Sequence, residues 1–240
     1  MEIAFRFISI GPKRFFMGDT RPAIWLRRIA LSIGILIVLV LAVAGHYYYK
    51  AFYKPVHPID RPFGVTSTMT GTERQRITRS ASAQKIFLTQ HGFNTSLCFL
   101  VDMQLPSGKN RFFVYDLDKD SILLAGLVAH GSGNKGFSFT PSFSNVSGSN
   151  CTSLGKYRIG YPYQGQFGPA YKLYGLDSTN DQAYKRNVVL HCYTGVPEGE
   201  TDPYPICNSR GCAMVSPGFL RQLQPLINKS SRPIMLWIFN

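Results

Sequence analysis

Ile29 to Gly45 is an apolar run broken only by small residues, and no other stretch so limits how the chain can be organised. Lys13, Arg14, Arg21, Arg27 and Arg28 precede it, and Tyr47, Tyr48 and Tyr49 follow. Carried through Tyr49 it reaches the roughly 20 residues that span a bilayer core. Basic residues on one side and an aromatic belt on the other orient it with the N-terminus in the cytoplasm. This predicts a basic cytoplasmic segment over 1–28, a transmembrane signal anchor over 29–49, a tether over 50–78 and a folded domain over 79–240 outside the cytoplasm. The alternative is a secreted chain, because Ala42-Val43-Ala44 before Gly45 matches the small-x-small pattern of a cleaved signal peptide.

The formal net charge is +13, but the basic flank of the apolar run contributes much of it. Residues 51–240 hold 19 basic and 11 acidic side chains, a net of +8. A basic domain outside the cytoplasm suits an anionic polymer or lipid surface; it suits simple solubility equally well. Nucleic acid is not an expected partner, since no Arg/Lys stripe, Cys/His finger or RNA-binding aromatic motif occurs. No Cys-x-x-Cys pair occurs and the five histidines are dispersed, so neither a metal nor a cofactor is expected.

Lys50 to Thr78 is rich in Pro, Thr, Gly and Arg and lacks apolar periodicity, hence the tether. Ser80 to Gln90 reads as a short helix. From Leu97 onward the pattern is mainly β: Leu97–Met103, Arg111–Leu117 and Ser121–Val128 form an antiparallel meander, with turns at 106–110 and 118–120. Further strands are expected over Gly155–Gly160, Tyr171–Leu176, Asn187–Tyr193 and Pro233–Phe239. One later helix is well signalled, with Ser216 as N-cap, Pro217 in the first turn, and Phe219, Leu220, Leu223, Leu226 and Ile227 at helical spacing.

Chemistry concentrates in two short segments. Val188-Val189-Leu190-His191 places an imidazole on an apolar strand, and Ser209-Arg210-Gly211-Cys212 places a thiol after a glycine. A free thiol is only a few per cent ionised at neutral pH, so a nucleophilic cysteine needs a base beside it. If the loop from Pro203 to Gly211 folds back, His191 can be that base and Cys212 the nucleophile. Gly211 supplies backbone freedom, and N–H groups at that step can hold an oxyanion. An isolated histidine on such a strand would be an ordinary core residue; its value depends on Cys212. The five cysteines are an odd count, so one has no intramolecular partner. Cys212 is the candidate, with Cys98, Cys151, Cys192 and Cys207 paired or buried, and a Cys207–Cys212 disulfide as the alternative that silences the nucleophile. His130-Gly131-Ser132-Gly133 is a second polar patch, lining a cleft through His130 and Ser132 or simply turning the chain.

These segments together resemble the murein L,D-transpeptidase catalytic domain of the YkuD type. Members carry a strand histidine and, after a loop, Ser/Thr-His-Gly-Cys, to which Leu190-His191-Cys192 and Ser209-Arg210-Gly211-Cys212 correspond. Ser153-Leu154-Gly155-Lys156-Tyr157-Arg158-Ile159 is similar to the family's Thr-Pro-x-Gly-x-Phe/Tyr-x-Ile segment, and Val215-Ser216-Pro217 continues the nucleophile segment into its helix. The likeness runs from about Tyr115 to the C-terminus and is nearest the divergent, Bacteroidota-like branch. It implies a mainly β, sandwich-like domain with a few short helices, acting in the periplasm or cell envelope on peptidoglycan stem peptides. Cys212 would form a thioester with the diaminopimelate of a tetrapeptide stem and pass it to an amine as a 3-3 cross-link. A cysteine L,D-carboxypeptidase or endopeptidase, or a silent wall-binding module, is the alternative. His191 would be the base, and Gly211, Ser209 and Arg210 would support the motif and its oxyanion hole.

Two positions depart from the family pattern. Arg210 replaces the motif histidine, and Met214 stands where an asparagine is usual. Arg210 can favour the thiolate, bind a stem carboxylate, or pair with a nearby acid.

Overall fold

The computed structural model describes residues 21–48 and 69–240. Most of the expected cytoplasmic segment and tether lies outside the described residues. The chain divides into two compact units, 1–50 and 51–240. In the first, α1 (Arg21–Tyr48) is a single helix whose stretch Trp25–Tyr48 has a mean hydropathy of 2.6 and no buried residue, long and apolar enough to cross a membrane.

The first described element of the second unit is α2 (Gly71–Gln90), which begins well before Ser80. Thr70 Oγ1 accepts from the Glu73 N–H, and Glu73 Oε2 accepts from the Thr70 N–H at 2.8 Å. That reciprocal cap starts a helix in a Thr/Gly/Arg-rich run whose low apolar content reads as tether. Ile77, Ala81, Gln84 and Leu88 recur at intervals of three and four on its buried face.

Nine strands follow in one mixed sheet: β1 (Leu97–Asp102), β2 (Phe112–Asp116), β3 (Ser121–Gly126), β4 (Val128–Ala129), β5 (Gly155–Gly165), β6 (Gly168–Gly175), β7 (Val189–Cys192), β8 (Ala213–Val215) and β9 (Met235–Phe239), with α3 (Pro217–Asn228) before the last. Their order across the sheet is β3-β2-β1-β9-β5-β6-β7-β8-β4. The mainly β expectation is borne out, including the antiparallel β1-β2-β3 meander. Parallel pairing joins β1 to β9 and β7 to β8.

Strand alternation gives the sheet two apolar faces. Phe99, Val101, Phe112, Tyr157, Tyr171 and Leu190 pack on one side with Phe219 and Leu223 of α3. Cys98, Leu100, Phe113, Tyr115 and Met235 pack on the other with Ile77, Ala81 and Leu88 of α2. As its sequence suggests, α3 starts at Ser216, whose Oγ accepts from the Phe219 N–H at 3.2 Å. Glu198 completes that start, accepting from the Ser216 hydroxyl and, at 2.7 Å, from the Gly218 N–H.

Beyond their expected bounds, β5 and β6 continue as a long hairpin that closes at Gly165 and Gly168. The short strand β8 escapes a sequence reading, and Val128 of β4 reads as the end of the preceding strand, because two or three residues carry no measurable period.

Candidate active site

β7 buries Leu190 in the main core and turns Val189 and His191 to the opposite face. Its parallel neighbour β8 sets Leu190 opposite Ala213 and His191 opposite Met214. Continued by one residue, that register sets Cys212 beside Val189. Cys212 and His191 are therefore diagonal neighbours on one face. On the other flank, β6 sets Ala170 opposite His191 and Lys172 opposite Val189, while β5 sets Tyr163 opposite Ala170. Tyr163, Lys172, His191 and Cys212 thus occupy four adjacent chain segments and share a face.

The turn carrying Cys212 is fixed from both sides. The Ser209 N–H donates to His130 O at 2.8 Å, and the Ser132 N–H donates to Ser209 O at 2.9 Å, docking the loop onto the segment after β4. Ser209 Oγ then donates to Cys212 O at 2.8 Å and accepts from the Gly211 N–H at 3.1 Å. Gly211 has φ +105°, and a Cβ there would lie 2.6 Å from the Cys151 carbonyl oxygen. Conformation and space both demand glycine. The Ser209 hydroxyl occupies the Gly211 N–H, so that donor faces a serine rather than an empty oxyanion position.

His191 is buried to 8% exposure, and its ring stacks on Phe167 with centroids 5.5 Å apart. Nδ1 lies 2.9 Å from Cys192 O, an acceptor only, so Nδ1 carries the proton and Nε2 holds a lone pair. Nε2 has no partner among the described residues. Among the described residues every fully buried side-chain nitrogen and oxygen has one, so Nε2 reaches solvent. Burial lowers the imidazole pKa below 6.5, only partly offset by the Cys192 carbonyl, and keeps the ring neutral at pH 7. Burial raises the Cys212 thiol, while the Val189 backbone, Arg186 and Lys172 pull it down. The net rise leaves a resting thiol, 3.9 Å from Asn187 O. A neutral thiol and a neutral imidazole share the face.

Neither cation acting on the sulfur stands out in the sequence. Arg186 follows a turn-rich run, and Lys172 reads as the solvated face of a strand. Arg186 donates to Ser144 O, Ser149 Oγ, Cys151 O and Ser153 Oγ, pinning the loop over 144–153 against the Gly211 turn. Arg210, by contrast, is exposed and has no acidic partner among the described residues. Met214 is buried with Leu127, Ala129, Val196 and Ile206, so an apolar cluster occupies the position of the family's asparagine.

His130 does not line a cleft. It is completely buried, with Nδ1 accepting from Arg111 Nη2 at 2.9 Å and Nε2 donating to Ser138 O at 3.1 Å. Arg111, also without exposure, donates to Leu105 O and twice to Val128 O. Burial and the Arg111 charge press the His130 pKa down to about 4. Ser132 is partly exposed and donates its hydroxyl to Gly133 O. All five cysteines are free thiols, with Cys98 in the core and no Cys207–Cys212 bond.

The mixed sheet thus presents, on one face, a buried strand histidine and a cysteine held on an obligate glycine turn. Residues 70–238 match the model of the L,D-transpeptidase catalytic domain, and the chain belongs to that family. The match begins at the cap of α2, well before Tyr115. No curated protein matches the chain. Among solved structures, similarity is found to the carbamoyl enzyme formed by Ldtfm and avibactam (13% identity, 60% of this chain and 49% of that one, TM-score 0.38). The helical cell shape determining protein Pgp2 from Campylobacter jejuni is another (11%, 69% and 54%, TM-score 0.39). An L,D-transpeptidase from Mycobacterium smegmatis is a third (12%, 60% and 59%, TM-score 0.35). The chain spans about half the length of the first solved structures it matches.

Proposed function

We propose that the domain is a murein L,D-transpeptidase that uses Cys212 as nucleophile and His191 as base. The observation that carries this reading is the shared sheet face of the Cys212 thiol and a His191 ring whose Nε2 is unprotonated and open to solvent. As Sγ attacks the diaminopimelate carbonyl of a tetrapeptide stem, its proton passes to Nε2. The C–N bond then breaks, and the departing D-alanine amine takes that proton. In the second half an acceptor amine attacks the thioester and gives its proton to Nε2. The C–S bond breaks and the sulfur is reprotonated. Ser209 and Gly211 hold the nucleophile's turn, and Arg186 supplies a fixed positive charge beside the sulfur.

Residues 29–49 act as a signal anchor, with 1–28 in the cytoplasm, 50–78 mainly as tether, and the domain expected over 79–240 working in the cell envelope, its first helix extended back to Gly71. The hydropathy of α1 supports the anchor. The test is incubation of the full chain in detergent with disaccharide tetrapeptide, followed by mass spectrometry. A cross-linked dimer and a Cys212 thioester are expected; trimmed monomer alone would assign a carboxypeptidase. Absence of any adduct at Cys212, with stem peptide or with a carbapenem, would overturn the nucleophile assignment.

A further inference from the structure

The mechanism above leaves Lys172 without a task. We propose that Lys172 binds a carboxylate of the acyl donor and is thereby a specificity-determining residue of this site, an inference that rests on Cys212 being the nucleophile.

Lys172 stands opposite Val189, and Cys212 flanks Val189 on the other side, so the lysine and the thiol are two strands apart on one face. Its Nζ donates to Asn187 Oδ1 at 2.8 Å, and the backbone oxygen of the same asparagine lies 3.9 Å from Cys212 Sγ. Asn187 thus ties the ammonium to the immediate surroundings of the sulfur. The ammonium lies 5.8 Å from the Tyr163 ring centroid and 5.7 Å from that of Tyr184. An ammonium has three N–H bonds, and Asn187 takes one; the two aromatic walls restrict where the others point without supplying an oxygen acceptor.

The local charge is also unbalanced. The lysines paired with carboxylates are Lys109, Lys119 and Lys156, and among the described residues no acid pairs with Lys172. Arg186, the second cation acting on Cys212, donates only to neutral carbonyl and hydroxyl oxygens. Because its guanidinium is already engaged with those four oxygens, it contributes charge more than contact. Lys172 retains the donors. Two cations and, among the described residues, no carboxylate beside a nucleophile make a site for an anionic group within a few bonds of the attacked carbonyl. In a peptide donor whose last residue leaves, that group is the free C-terminal carboxylate.

The test is the reaction of Cys212 with iodoacetate and with iodoacetamide, which differ in one charge. The full-length protein in detergent is alkylated at neutral pH. The Cys212 peptide is quantified by mass spectrometry, and each rate is divided by that of N-acetylcysteinamide. The wild type should favour iodoacetate about tenfold, the worth of one charge-assisted hydrogen bond at a partly exposed site. Lys172→Met should abolish the preference, and Lys172→Arg should keep most of it, which separates lost charge from lost folding. If both reagents slow equally in Lys172→Met, the lysine only tunes the thiol and the proposal fails. An unchanged ratio would also sink it.

A second pair of reagents separates this inference from the transpeptidase reading: a tetrapeptide stem and its C-terminal amide. Iodoacetate preference with neither peptide forming a thioester would leave Lys172 as an anion site and remove the transpeptidase. Equal thioester formation from both peptides, with no iodoacetate preference, would do the reverse.

Discussion

Two histidines flank β8, and the sheet treats them oppositely. His130 precedes the bridge to Ser209 on the β4 side, and His191 lies on β7. Both are buried, and in both the pKa is pushed down by burial first. They differ in one atom. His130 has both ring nitrogens engaged, by Arg111 and Ser138, whereas His191 commits Nδ1 and leaves Nε2 open. A histidine whose second nitrogen is satisfied belongs to the scaffold; one whose second nitrogen is free can carry a proton.

The sharpest way to break this contrast is His191→Ala, which should slow thioester or carbapenem adduct formation by about 10²–10⁴-fold, the usual worth of a general base. Circular dichroism should show the fold intact. In the wild type the acid limb of that reaction should lie below 6.5, because the base is held neutral, and the rate should then stay level to beyond 9.0. A loss of rate on the alkaline side before 9.0 would mean an imidazolium–thiolate pair instead, because that pair is lost as the imidazolium gives up its proton.

On the other side of β8, Arg111→Met should cost about 3–5 kcal/mol in denaturant unfolding. It strands the Leu105 and Val128 carbonyls and His130 Nδ1 without a donor. Adduct formation per folded molecule should change far less than in His191→Ala.

The pH dependence of stability should also separate the pair. The folded pKa of His130 is depressed from 6.5 to about 4, so the unfolded chain takes up the proton first as pH falls. The stabilisation is complete above 6.5 and is lost on descending toward 4, about 3 kcal/mol in all. Urea midpoints of wild type and His130→Gln should converge over that window; parallel curves would show that Arg111 does not depend on a neutral ring.

The smallest effect tests the link between the two sides. Ser209→Ala removes one hydroxyl that donates to Cys212 O and accepts from the Gly211 N–H, and should cost about 1 kcal/mol. A several-fold slower adduct should accompany it. No kinetic change would show that the Gly211 turn holds its shape through φ and the Cys151 contact alone.

Several of these features are legible in the chain itself. The Ser216–Pro217 start of α3, the meander through β3, and glycine before Cys212 follow from caps, period and backbone freedom. The α2 start is obscured by the Thr/Gly/Arg-rich composition around it, although Thr70-Gly71-Thr72-Glu73 spells a capping box. Tyr157 and Tyr171 are core residues, while Tyr163 is exposed beside Cys212; density of aromatics alone does not sort them.

An apolar helix followed by a mainly β domain, with a strand histidine and a glycine-borne cysteine, is written in the order of residues alone. Local periodicity, capping and φ preference are short-range properties, readable from neighbours in the chain. Packing and register across the sheet assign His130 to Arg111, turn Arg210 to solvent, and bring the charge of Arg186 and Lys172 to Cys212. Those outcomes depend on register across β5, β6, β7 and β8, where a slip of one residue would turn His191 into the core and Leu190 out of it.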